Sequence, residues 1–351
     1  MPGIEQVAQL AGVSTATVSR ALSGKSNVSE ATRLRVTEAA QELGYVVSSS
    51  ASGLASGRTK NIGIVVPFLN RWFYTSVIEG AQKSLVKAGY DLTLYNLGDG
   101  KEQRRSVFEQ FLLRKRVDAV IAVSLELTDS EVSRLLAMGK PVVGVGGPLA
   151  GVPTLSIDDV RIARLATDHL ITLGHTAIAH VGGDKEFELD FHLPTNRRLG
   201  YEEALEAAGI ELDDELFQPA DFTIQGGFRA AKQLLGSPHK RPTAIFAASD
   251  EMAIGAILAA KDLGLDVPRD VSIVGIDDHS LSEFFELTTV AQFPTLQGER
   301  AVEMLMAQLQ PRTDGVQPTN TPLPYELIVR STTAVPRDAR RGNETSPASA
   351  Q

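Results

Sequence analysis

The chain has 351 residues, 43% of them hydrophobic, with a net charge of −9 and no cysteine. That length carries two or three domains with full-sized cores, and the missing thiols exclude a disulfide framework and any thiolate metal site. The N-terminus MPGIEQVAQL has no basic start and no apolar signal core, and no run of 18 apolar residues exists. The sequence therefore reads as a cytoplasmic protein without a membrane span.

Ile4–Ala11 (IEQVAQLA) and Thr15–Leu22 (TATVSRAL) show helical spacing on either side of Gly12-Val13-Ser14. Val7, Ala8 and Leu10 supply an apolar face to the first helix, and Val13, Val18 and Leu22 supply one to the turn and second helix. Leu34, Val36, Ala39, Ala40 and Leu43 supply one to a third. A helical hairpin joined at glycine, with small and hydroxyl residues heading its second helix, suits a helix–turn–helix. There one helix braces while the next presents its N-terminal residues to a DNA major groove. A generic helical hairpin has the same periodicity. Charge adds to the first reading. Residues 1–60 hold six basic side chains (Arg20, Lys25, Arg33, Arg35, Arg58, Lys60) against four acidic ones (Glu5, Glu30, Glu38, Glu42), which leaves −11 on the rest. A head this mildly basic needs hydroxyls, backbone N–H groups and helix N-termini as well for phosphate contacts.

Ser48–Arg58 (SSSASGLASGR) reads as a flexible linker. Beyond it, apolar strands alternate with amphipathic helices. NIGIVVP, Tyr90–Tyr95, VDAVIAVS and PVVGVGG are strands, separated by helices at Ser76–Ala88, Gln103–Arg114 and Ser130–Met138. The rhythm resumes with Val160–Leu173, AIAHVGG, Arg197–Ala208, Gly226–Leu235, AIFAASD, Met252–Leu263 and VSIVGID. Such alternation predicts two doubly wound parallel-sheet subdomains, with crossovers near Ile157–Val160, Val290–Phe293 and Thr321–Pro324. A ligand is then expected at the carboxyl ends of the strands, in the cleft between them. The polar tail PRDARRGNETSPASAQ has no apolar period and reads as disordered.

The run AGVSTATVSRALSG…VSEATRLRVTEAAQELGY resembles, nearly motif for motif, the DNA-binding domain of the LacI/GalR family of bacterial transcription regulators, and the resemblance continues to about Val335. It implies an all-α helix–turn–helix head at residues 1–46, a hinge at 47–59 that becomes a helix on DNA, and an α/β core at 60–335. That core resembles the type I periplasmic-binding-protein fold, with an N-subdomain at 60–158 and 292–322 and a C-subdomain at 159–291 and 323–335; residues 336–351 form the tail. The tail lacks the leucine heptads of tetrameric members.

The resemblance assigns base reading to Thr15, Ala16 and Arg20. Arg20 is the candidate for a bidentate contact to guanine; a phosphate contact is its alternative. Ser14, Thr17, Ser19, Ser23, Ser29 and Thr32 lie where the family contacts phosphates, and each suits a helix cap equally well. In the hinge, Ala51 fits the helix, and Leu54 is expected to wedge between base pairs from the minor groove. Val47-Ser48 replaces the usual Pro-Asn, Ser52-Gly53 replaces the arginine beside the hinge leucine, and Gly3 and Gln6 replace Thr and Asp at the first helix.

Arg197–Tyr201 (RRLGY) matches the family's R-x-x-G-[FYW] motif, whose first arginine holds ligand hydroxyls or a carboxylate. The same resemblance places Asp277 as an acceptor for ligand hydroxyls, and Phe222, Trp72, Phe73 and Tyr74 as stacking faces. Asp158 and Ser249 complete the candidate set, with Asp278 read as structural. Ser249 and Gly146 stand where sugar-responsive members often have Asn and Asp. His169 and His175 match a structural motif, and no carboxylates accompany them at metal spacing. VGVGGPLAG fails the dinucleotide pattern at its last position, and no nucleophile–base signature is present. The expectation is a non-enzymatic, cofactor-free regulator, usually a repressor. It would act as a homodimer on pseudo-palindromic operator DNA under control of a small metabolite, a sugar first of all. A solute-binding protein of a transport system and an α/β enzyme are the alternatives.

Overall fold

The computed structural model describes residues 2–22, 27–45, 58–98, 100–114, 116–183, 192–237, 240–310 and 320–337. The chain divides into two compact units, Met1–Asn61 with Lys115–Asp118, and the remainder.

In the first unit, helices α1 (Ile4–Ala11), α2 (Thr15–Leu22) and α3 (Glu30–Glu42) enclose Val7, Ala8, Ala11, Val18, Ala21, Val36, Ala39 and Ala40. Gly12 closes α1 in the left-handed conformation at φ 65°, which lets Ser14 head α2 directly. Ser14 Oγ accepts from the Thr17 backbone N–H at 3.2 Å, and Ser29 Oγ accepts from that of Thr32 at 3.3 Å, capping α3. Two apolar residues expected in this core lie outside it. Leu10 is exposed, and Leu34 is 61% exposed. At 100° per residue Leu34 falls opposite the Val36–Ala39–Ala40 face, and Leu10 falls to the side of the Val7–Ala8–Ala11 face.

The second unit holds two six-stranded sheets. The first contains β1 (Asn61–Val66), β2 (Asp91–Asn96), β3 (Ala119–Val123), β4 (Val142–Val145), β5 (Thr154–Ser156) and β11 (Asn320–Pro322), in the order β11-β5-β4-β3-β1-β2. The second contains β6 (Ile178–Gly183), β7 (Phe217–Ala220), β8 (Ala244–Ala247), β9 (Ser272–Asp277), β10 (Thr288–Ala291) and β12 (Glu326–Ile328), in the order β12-β10-β9-β8-β6-β7. Both follow one winding plan. In the first the sixth strand is parallel to its neighbour; in the second, β12 runs antiparallel to β10. The short strands β5, β7, β11 and β12 carry little apolar pattern, and the alternation in the sequence did not reveal them.

Helices α4 (Trp72–Lys87) and α11 (Pro294–Leu309) cover one face of the first sheet, placing Val77, Ala81, Leu85, Ala301 and Leu305 over Ile62, Ile64 and Ile121. The helix expected over Gln103–Arg114 is segmented into α5 (Lys101–Ser106), a π-helical turn Val107–Phe111 and a 3₁₀ turn Leu112–Arg114. Beyond it, α6 (Asp129–Ala137) begins with a capping box between Thr128 and Glu131.

On the second sheet, α7 (Asp159–Thr172) and α8 (Leu193–Ala207) pack over Phe246, Val274 and Val290. Helices α9 (Ile224–Gly236) and α10 (Asp250–Asp262) pack over Val181, Ile245 and Ile273 on the opposite face. Consecutive strand residues thus serve opposite layers, which is why these strands read as continuous apolar runs.

Candidate functional site

The carboxyl ends of the parallel strands converge on a cavity of about 380 Å³, walled from both sheets. Phe68, Ser124, Gly146 and Ile157 come from just beyond β1, β3, β4 and β5. Ala220, Ser249, Asp277 and Gln292 come from the ends of β7, β8, β9 and β10. Phe73 and Tyr74 of α4 and Pro194 and Arg197 of α8 complete much of the wall.

Backbone conformation marks the same place. Ser124 (φ 42°), Phe222 (φ 54°) and Asp277 (φ 136°) line the cavity with positive φ, a costly state for residues with a Cβ that gathers at functional sites. Gly146 is required here, with φ 110° and a hypothetical Cβ only 2.5 Å from Ser124 Oγ. The Ser124 hydroxyl occupies the space an aspartate at 146 would need.

The RRLGY motif divides its labour. Arg197 is buried; its Nε donates to Asp159 Oδ1 at 2.8 Å and its Nη1 to the Ala248 carbonyl. Gly200 lets α8 lie against α7, since a Cβ there would sit 2.2 Å from the Val160 carbonyl oxygen. Tyr201 is buried and donates its hydroxyl to the Ile178 carbonyl at 2.8 Å.

Asp277 accepts from the Gln292 side-chain amide. Burial raises its carboxyl above the ordinary range, the Arg197 charge opposes the rise, and Asp250 adds to it. Asp159 is raised by burial against the pull of Arg197. Asp250 is fully engaged, accepting from His279 N at 2.9 Å, Ser282 Oγ at 2.7 Å and Thr289 Oγ1 at 2.6 Å. Glu251 lines the cavity, and burial pushes it up to about 7.

Six of the eight residues expected at an effector site line this cavity: Phe73, Tyr74, Arg197, Phe222, Ser249 and Asp277. Trp72 and Asp158 do not. The Trp72 ring lies against His279 with ring centroids 4.7 Å apart. Asp158 uses its carboxylate to cap α7, accepting from Arg161 N at 3.0 Å, and its neighbour Asp159 faces the cavity instead. Asp278 pairs with Arg330 at 2.7 Å. His169 meets Thr333 at 2.9 Å, and His175 meets Thr243, Ser272 and the Ala334 carbonyl. No cluster able to hold a metal occurs among the described residues. Sequence reasoning missed Asp159, Glu251, Gln292 and Gln297, although each stands within a few residues of a strand's carboxyl end, or at the start of the helix that follows.

In the head, Thr15, Ala16, Ser19 and Arg20 form one exposed face of α2, while Val18 and Ala21 turn inward. Ser14 and Ser29 cap helices, and the Thr17 and Thr32 hydroxyls bond to them at 2.9 Å each. Ser23, Ala51 and Leu54 lie outside the described residues.

Residues 3–48 match the model of the bacterial regulatory proteins of the lacI family, and residues 167–333 match that of a periplasmic-binding-protein-like domain. The transcriptional regulator CelR of Thermobifida fusca is 36% identical over 343 residues, 94% of this chain and 97% of the relative. The chain belongs to the LacI family of bacterial transcriptional regulators.

The repressor CytR of Escherichia coli K12 is 34% identical to this LacI-family chain over 340 residues, 95% of this chain and 97% of CytR. Among solved structures, the lac repressor dimer bound to operator and the anti-inducer ONPF matches with a TM-score of 0.79 at 27% identity, covering 95% of this chain and 99% of that one. The CelR–cellobiose complex matches with a TM-score of 0.68 at 33% identity, covering 95% and 100%. As a member of this family the chain is a DNA-binding regulator of transcription, not an enzyme, and it works in the cytoplasm, where bacterial DNA lies. No helix among the described residues is long and apolar enough to cross a membrane.

Proposed function

We propose that this regulator binds a two-fold symmetric operator as a homodimer, usually as a repressor, and that a sugar in the inter-sheet cavity sets its affinity for that DNA. The observation that carries the effector reading is the cavity itself. It sets a buried Arg197 and a buried Asp277 among Phe73, Tyr74 and Phe222 at the carboxyl ends of two sheets. Polar groups fix a ring's hydroxyls while aromatic faces cover its apolar side. A solved CelR–cellobiose complex is 33% identical to this chain, and a ribose-bound family member matches over 78% of this chain.

Residues 1–46 serve as the reading head, 47–59 as the hinge and 60–335 as the effector and dimerisation core. Thr15, Ala16 and Arg20 read bases; Ser14, Thr17, Ser19, Ser23, Ser29 and Thr32 approach phosphates. Ala51 and Leu54 act from the minor groove, where an apolar wedge kinks the duplex. Ligand in the cleft shifts one subdomain against the other, a coupling of about 1–3 kcal/mol between cleft and DNA.

The test begins by selecting binding sites for the full chain from a randomised duplex library. Gel shifts with and without cellobiose or ribose follow on the selected site. A symmetric site whose occupancy changes with one of these sugars supports the reading. An asymmetric single half-site removes the dimeric mode, and indifference to both sugars removes them as effectors.

A further inference from the structure

Hydrogen-bond donors in the cleft are largely engaged by the protein itself. Arg197 gives Nε to Asp159 and Nη1 to the Ala248 carbonyl. Arg71 gives Nη2 to the Asp221 carbonyl at 3.1 Å. The Gln292 amide goes to Asp277, and that of Gln297 to the Gln292 carbonyl at 2.7 Å.

Acceptors are in surplus. Among the described residues, four carboxylates, Asp159, Asp221, Glu251 and Asp277, line the cavity against two guanidinium groups, Arg71 and Arg197. Asp159 and Asp277 have protein partners, and Asp221 accepts from the Thr223 hydroxyl at 2.5 Å. Glu251 makes no hydrogen bond or ion pair with any described residue. Its charged surroundings are Arg71 at the start of α4, Asp221 after β7 and Asp277 at the end of β9. A half-buried carboxyl without a donor is unfavourable until one arrives.

We propose that this cleft, taken as the effector site, admits uncharged polyhydroxylated ligands and rejects anionic ones, with Glu251 setting the selectivity by accepting hydrogen bonds from ligand hydroxyls. A neutral sugar offers Glu251 the donor it lacks, and offers Asp277 a donor beyond Gln292. A phosphate or carboxylate on the ligand brings like charge toward both and finds Arg197 already engaged by Asp159 and the Ala248 carbonyl. Such juxtaposition of like charges is a strong means of excluding a wrong partner.

The selectivity is read by isothermal titration calorimetry on the full-length chain with two matched pairs, cellobiose with cellobionate and ribose with ribose 5-phosphate. The neutral member of a pair binds the parent, and its anionic twin binds about tenfold weaker or worse at about pH 8. The gap narrows at about pH 6, where Glu251 holds its proton. Glu251→Gln narrows it at pH 8 as well and makes it less pH-dependent than in the parent; thermal melts confirm that this variant is folded. Asp277 titrates in both proteins, so the comparison isolates Glu251. An anionic probe binding the parent as tightly as its neutral twin overturns the proposal, and so does a Glu251→Gln protein with an unchanged gap. Silence of all four probes retires the sugar reading of the cleft, and this selectivity with it, an outcome distinct from binding without discrimination.

Discussion

Arg197 is held by the protein before any ligand arrives. Its pairing with Asp159 buries two opposite charges, so removing one strands the other. Arg197→Ala is therefore expected to lower stability by about 3–5 kcal/mol, whereas Arg197→Ala combined with Asp159→Ala loses less than the two single changes added together. Urea unfolding of the three variants measures the coupling, and simple additivity would show that the pair does not act as a unit. Glu251 presents the opposite case, a carboxyl with no hydrogen-bond or ion-pair partner among the described residues. Its folded pKa lies near 7, above the ordinary value of about 4.3. The folded state thus keeps a proton that the unfolded chain has released. This group's contribution is most favourable below about pH 4 and is lost as pH rises toward 7. Glu251→Gln should accordingly gain thermal stability over the parent at pH 8 and gain less at pH 5. An equal gain at both values would mean the carboxyl titrates normally.

At the scale of elements, the contact between α7 and α8 depends on a missing side chain. Gly200 backs onto the Val160 carbonyl, with Ala163 Cβ only 2.9 Å from where a Cβ would stand. Gly200→Ala must push the helices apart and is expected to cost about 1–3 kcal/mol, read from the urea midpoint. Because α8 also carries Arg197, the same change should weaken any ligand held in the cleft. In the head, the capping hydroxyl of Ser14 satisfies the Thr17 N–H. Ser14→Ala is expected to cost about 1 kcal/mol, and faster amide exchange at Thr17 would report it. Unchanged exchange would leave Ser14 with no capping role.

For the whole molecule, DNA binding and charge distribution are linked. A head with a surplus of only two positive charges relies on few counterion-releasing contacts, so operator affinity should fall with salt, but with a moderate slope of roughly 0.9 per neutralised phosphate. Arg20 can be assigned within that frame. If it reads a base, Arg20→Ala relaxes discrimination at one base pair of each half-site by about 1–3 kcal/mol and leaves the slope nearly intact. If it binds phosphate, affinity falls evenly across sequences and the slope drops by about one. Binding titrations at several salt concentrations, on matched and mismatched sites, separate the two.

The sequence by itself determined the order of domains, the family and the class of fold. Those properties are written in local periodicity, in Gly12 and Gly200, and in short apolar runs separated by amphipathic helices. It also pointed to Arg197 through a motif, to Asp277 through a strand end and to Phe222 through family resemblance, and all three line the cavity. Tertiary structure decided which side chains face the cavity. Asp158 and Asp159 are indistinguishable in a string, yet one caps α7 and the other meets Arg197, a difference set by where the helix begins. Trp72 precedes Phe73 on the same helix turn, yet its ring rests on His279 from a loop more than two hundred residues away. Leu34 looks apolar enough for a core but lies opposite the buried face of α3. Glu251 showed no motif at all; its significance comes from its burial in the cavity wall and from having no donor among the described residues, and both arise only when the strand ends of two sheets are brought together.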